Sequence, residues 1–120
     1  MTENKNLSFF RRFVFAMQGL RTSWIGEFSF RTHVIIALLV IVIAAIARPA
    51  PVWWALLALA IGAVISAELL NTAIERLADR VQPQLDEEIK IVKDVAAAGV
   101  LIAAFTAIAV AAAFVVGVFL

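Results

Sequence analysis

The stretch Arg48 to Arg80, RPAPVWWALLALAIGAVISAELLNTAIERLADR, decides the architecture. It is free of charge from Pro49 to Ala67 and then turns abruptly acidic. A membrane-spanning helix needs about 20 apolar residues, a length reached here once Glu68, Leu69 and Leu70 are tolerated at its end. Two other charge-free stretches flank it, Thr32 to Ala47 and Val95 to Leu120. The last is long enough alone. The first becomes adequate if Phe28, Ser29 and Phe30 extend it and Arg31 snorkels its guanidinium to the headgroups. Each is predicted to be helical, because in hydrocarbon a lone segment satisfies its backbone hydrogen bonds only internally. Pro49 and Pro51 fall where a tight turn is needed and a missing N–H does least harm.

Composition supports lipid as the solvent. Of the 120 residues 64% are hydrophobic and 16% charged, and the mean hydropathy is +1.02. An ordinary soluble domain is about 45–50% apolar, and a short chain cannot hide such an excess in one core. Ten basic and nine acidic residues leave a formal charge of +1, which gives no reason to expect a nucleic-acid partner. There is no cysteine, hence no disulfide, thiolate metal site or cysteine nucleophile.

Ahead of the spans, Leu7 to Gly26 repeats Phe10, Phe13, Met17, Leu20 and Trp24 at helical intervals, with Arg11, Arg12 and Arg21 in the same segment. This predicts an amphipathic helix lying in the membrane interface. No cleaved signal peptide is expected. The fold class is therefore an all-α membrane protein, one domain over 1–120, with an interfacial helix at 7–26 and spans at 28–47, 51–75 and 93–119. Basic residues set its orientation. Lys5, Arg11, Arg12, Arg21 and Arg31 precede the first span, Arg76, Arg80, Lys90 and Lys93 follow the second, and only Arg48 lies in the turn between. Nine against one places the N-terminus and the second loop in the cytoplasm and the C-terminus outside. Small residues such as Ala96, Gly99 and Ala103 suit close helix packing, and three spans alone have little interior, so an oligomer is expected.

At 100° per residue, Glu68, Asn71, Thr72, Glu75 and Asp79 share one stripe of a helix, with Ile74 and Leu77 facing away. Glu68 and Glu75 differ by about 20° in direction and roughly 10 Å along the axis, so one carboxylate sits deeper than the other. A carboxylate at the edge of hydrocarbon is costly unless protonated, paired or facing a polar cavity, which makes function the default reading of Glu68. For Arg76, Asp79 and Arg80 a helix end emerging into water explains as much, and Asn71 also reads as packing glue between helices. Glu27 stands at a second membrane boundary, where a helix-end role competes. Lys93 and Asp94 precede the final span, with Asp94 favoured there by the helix dipole. His33 reads as an interfacial or packed side chain rather than a metal ligand. Carboxylates, water and phosphates are the usual surroundings of Mg²⁺, and a lysine can hold phosphate oxygens. There is no GxxxxGK[ST] loop and no Gly-rich kinase loop.

Three blocks, GLRTSWIGEFSFR at Gly19 to Arg31, AELLNTAIERLADR at Ala67 to Arg80 and KDVAAAGVLIA at Lys93 to Ala103, set among three hydrophobic spans, resemble the small prokaryotic diacylglycerol kinase family, which includes undecaprenol kinases. The resemblance runs from about Phe13 to the C-terminus. It implies a homotrimeric enzyme of the bacterial cytoplasmic membrane that uses MgATP to phosphorylate a lipid alcohol. It further implies Glu68 as the catalytic base with Asn71 beside it, Glu27 and Glu75 as ligands of the metal that accompanies ATP, Lys93 and Asp94 as nucleotide contacts, and Arg21 and Trp24 as lipid contacts. His33 stands where the best-known diacylglycerol kinases carry an acidic residue and undecaprenol kinases often have histidine, whereas SWIGEFSFR is closer to the diacylglycerol type. The Gln82 to Glu88 loop, with Pro83, matches neither pattern. The expectation is a diacylglycerol kinase making phosphatidic acid, with undecaprenol kinase as the alternative and a non-catalytic membrane subunit as a third reading.

Overall fold

The computed structural model describes residues 8–120, and Lys5 and the expected helix start at Leu7 lie outside the described residues. Four helices follow one another: α1 (Phe9–Gly26), α2 (Phe28–Ala47), α3 (Pro51–Val81) and α4 (Glu87–Phe119). Three of them, α2, α3 and α4, are long and apolar enough to cross a membrane. The helical membrane bundle expected from composition is the fold.

Local chemistry sets each boundary. Ser8 caps α1, its hydroxyl accepting from the Arg11 amide at 3.4 Å. A single extended residue, Glu27 (φ −122°, ψ 109°), separates α1 from α2. Arg31 donates to the Trp24 and Ile25 carbonyls at 2.9 and 3.0 Å. Its guanidinium therefore closes the C-terminal end of α1, where unpaired carbonyls attract a cation, instead of reaching for headgroups as the sequence suggested. Arg48 ends α2 in the left-handed region (φ 52°, ψ 57°), its amide bonded to the Ala44 carbonyl, and Pro51 opens α3 at a position where no amide is needed.

The helices outrun the uncharged stretches. α3 continues to Val81, and α4 starts at Glu87. Asp86 caps α4, accepting from the Ile89 amide at 3.1 Å, with Glu87 and Glu88 in the first turn. Asp94 is thus two turns inside α4, beyond the reach of the helix dipole that was expected to favour it.

α3 and α4 share the most extensive contact, followed by α2 with α3, and α1 touches α2 and α3 more lightly. The apolar core lies where α2 ends and α3 begins: Ala44, Leu57 and Phe114 are buried, with Val40, Trp53, Val110 and Val118 against them. The radius of gyration, 17.3 Å, exceeds the roughly 13–14 Å of a compact globule this long. Most large apolar side chains of the spans are exposed, as lipid or neighbouring helices require.

Candidate active site

The buried stripe of α3 runs through Leu57, Ala60 and Val64 and then, on the same spacing of three and four, into Glu68 and Thr72. A carboxylate has thereby been placed on the packing face of a helix. Glu68 is only 4% exposed, and a buried carboxylate persists only with polar company. α2 supplies it. The Ser29 hydroxyl donates to Glu68 Oε1 at 3.2 Å, and His33 Nδ1 stands 2.8 Å from the same oxygen. That second contact is at hydrogen-bond distance without meeting the geometry of a directed hydrogen bond, so Nδ1 is buried with no formal partner. Ser29 and His33 are four residues apart, hence on one face of α2.

One turn further along α3, the Asn71 amide donates to Glu75 Oε1 at 3.3 Å. Asn71 Oδ1 is buried and unpartnered. An amide oxygen left without a donor beside a carboxylate is a set of hard oxygen atoms, which suits a cation such as Mg²⁺. Glu27, half-buried, makes no side-chain hydrogen bond or ion pair to a described residue. Among the described residues no three His, Asp or Glu side chains gather closely enough to hold a metal ion unaided. Any metal held here would have to complete its shell with phosphate and water oxygens.

Lys93 and Asp94, adjacent in sequence and both implied as nucleotide contacts, have different partners in the structure. Lys93 Nζ lies 2.5 Å from Asp79 Oδ1 across α3 and α4, while Asp94 is bonded by Lys90 at 2.6 Å one turn away. Side chains at adjacent helical positions point about 100° apart, which is why neighbours in sequence separate here. Asp79, for which a solvated helix end explained as much as a site, is the contact that ties Lys93 to the carboxylate helix. Arg21 and Trp24 are exposed on α1, and no side-chain hydrogen bond joins either to Glu68. Ser29 and His33 are the residues that the sequence did not join to the site. Their signal was the four-residue spacing opposite an acidic stripe.

Beside Glu68 an apolar groove of about 250 Å³ runs between α2, α3 and α4, lined by residues such as Val40, Leu57, Val64 and Ala107, with His33 in its wall at the end nearer Glu68. Glu68, the Asn71–Glu75 pair and Lys93 thus lie beyond the His33 end of an apolar groove that runs back to the core at Val40 and Leu57.

A sequence profile described as prokaryotic diacylglycerol kinase matches residues 14–115. The chain belongs to the prokaryotic diacylglycerol kinase family. The diacylglycerol kinase of Escherichia coli strain K12 is 35% identical over 94 residues, covering 78% of this chain and 77% of its own length. The diacylglycerol kinase of Helicobacter pylori strain 26695 is 34% identical over 93 residues, or 78% and 73% of the two chains. The undecaprenol kinase of Bacillus subtilis strain 168 is 33% identical over 94 residues, or 78% and 76%. As a member of this family the kinase is a membrane lipid phosphotransferase, with a lipid and ATP as substrates. The reading as a non-catalytic subunit falls.

Proposed function

We propose that this kinase transfers the γ-phosphoryl group of ATP to the hydroxyl of diacylglycerol, giving phosphatidic acid. The observation that carries the reading is Glu68: a carboxylate buried on the packing face of α3, held by α2, at the end of an apolar groove. Glu68 takes the proton of the lipid hydroxyl as its oxygen bonds to the γ-phosphorus and the bond from that phosphorus to the bridging oxygen breaks, releasing ADP. Such a transfer depends on positioning and charge stabilisation more than on a protein nucleophile, so a chain of this size suffices. Glu27 and Glu75, with Asn71 Oδ1 beside the latter, would hold Mg²⁺, which when bound neutralises charge on the phosphates. Lys93 exchanges Asp79 for phosphate oxygens, and Asp94 lies one residue on to contact the nucleotide. Arg21 and Trp24, exposed on α1, face the lipid surface.

The assembly we infer is a homotrimer in the bacterial cytoplasmic membrane, N-terminus and α3–α4 loop inside, C-terminus outside. Basic residues clustered at the carboxylate end support the orientation, and the exposed apolar flanks of the spans support assembly. Undecaprenol is the second acceptor, favoured by His33 and by the similarity to the Bacillus subtilis enzyme. Phosphorylation of the two lipids in competition, in mixed micelles with purified protein and MgATP, tests the assignment. A higher kcat/KM for diacylglycerol is expected, and a higher value for undecaprenol would overturn it.

A further inference from the structure

We propose that His33 is a positioning residue for Glu68, and that together with Ser29 it holds one carboxylate oxygen so that the other is presented to the lipid hydroxyl. The inference rests on the reading of Glu68 as the base. Both polar contacts to Glu68 from α2 converge on Oε1, the Ser29 hydroxyl at 3.2 Å and His33 Nδ1 at 2.8 Å. Neither uses Oε2. A carboxylate anchored through one oxygen cannot spin about its terminal bond, and its remaining oxygen keeps a fixed direction. For a proton transfer that direction matters, because a base must lie within hydrogen-bond reach of the proton it removes.

Burial makes the anchor necessary. Glu68 is 4% exposed, so water is largely unavailable to orient it, and Ser29 alone supplies one neutral hydrogen bond at ordinary length. The His33 ring is partly buried and Nδ1 wholly so, with Glu68 as its nearby polar group. The same ring also lines the apolar groove. His33 thus contacts the base and also lines the groove at the end where a lipid hydroxyl would arrive. Asn and Gln separate its two nitrogens: an Asn amide sits about where Nδ1 does, and a Gln amide about where Nε2 does.

The experiment uses the full-length kinase in mixed micelles, with steady-state kinetics on diacylglycerol and MgATP and a thermal unfolding measurement on each variant. His33→Ala should lower kcat about 10- to 100-fold, the scale of a misplaced catalytic group, with both KM values nearly unchanged. His33→Asn should recover most of the loss, and His33→Gln should not. Adding His33→Ala to Glu68→Gln should cost nothing further, because residues acting as a unit are not additive. Normal kcat in His33→Ala overturns the proposal, as does a loss confined to the lipid KM, or equal loss in the Asn and Gln variants. Should His33→Ala fail to fold, the Asn against Gln comparison decides alone. If Glu68→Gln itself turns over normally, the base assignment falls and this inference with it. An inactive Glu68→Gln beside a fully active His33→Ala removes this inference only.

Discussion

The two ends of the bundle are held by different physics. At the end where α2 gives way to α3, Trp53 and Phe114 meet edge to face with centroids 5.6 Å apart, and Phe119 repeats the arrangement against Phe114 at 5.8 Å. Ala44 is completely buried there, and Gly117 lies so close to Trp53 that an added Cβ would stand 2.7 Å from its ring. At the other end Ser23, Glu68 and Thr72 are buried together with Phe30 and Ala78, and Asn71 Oδ1 is buried with no hydrogen-bond partner. Lipid tails are as apolar as leucine, so helices in a bilayer associate through shape and hydrogen bonds instead of through hydrophobic burial. Shape complementarity locks the aromatic end. A buried amide oxygen left without a partner marks the carboxylate end as the one that expects a ligand.

If the division is real, changes at the two ends must fail differently. The largest effect belongs to Glu68→Gln, which keeps the shape and removes the charge. It should lower kcat by about 10²- to 10⁴-fold while thermal unfolding in detergent stays near that of the parent, and a large loss of stability without loss of kcat would erase the distinction. Gly117→Ala at the aromatic end should do the reverse. Overpacking against Trp53 should destabilise by about 1–3 kcal/mol, with turnover preserved below the unfolding temperature. Trp53→Phe in that background should return part of the stability, since it removes the ring atoms in the way.

Smaller effects sharpen the picture between the ends. Arg48 occupies a left-handed conformation at φ 52°, which costs a non-glycine residue roughly 1–2 kcal/mol. Arg48→Gly should therefore raise the unfolding midpoint, corresponding to a gain in stability of about 1 kcal/mol, without altering kcat. The least change in stability is expected from Asp79→Asn. Its contact with Lys93 joins side chains 62% and 36% exposed, and such pairs contribute below about 1 kcal/mol. Its readout is the KM for ATP, which should fall if Asp79 competes with phosphate for Lys93 and stay constant if it does not.

The spans and the acidic stripe were legible because both rest on local periodicity. A run without charge bounded by prolines has one interpretation in a chain this apolar, and Glu68 announced itself by its position inside the apolar pattern. Helix ends were less legible. The DEEIK segment carries an N-cap and an acidic first turn, yet hydropathy places the start of the span at Lys93, and α4 begins six residues earlier. Contacts across helices were not legible at all. That His33 stands against Glu68, or that Lys93 chooses Asp79 over its neighbour Asp94, depends on the relative rotation of α2, α3 and α4, which no single helix encodes. The same limit explains Arg31: its bonds to the carbonyls of α1 follow from the single extended residue at Glu27, a break in the helix that composition does not describe.

That junction has a mechanical meaning. With one residue between an eighteen-residue helix and a twenty-residue helix, the two torsions of Glu27 fix both the heading of α1 and the placement of the Glu27 carboxylate. A longer connector would insulate the side chain from the helix; this one gears them together. Whatever tilts the first helix, whether a crowded leaflet or a curved one, must swing that carboxylate as well.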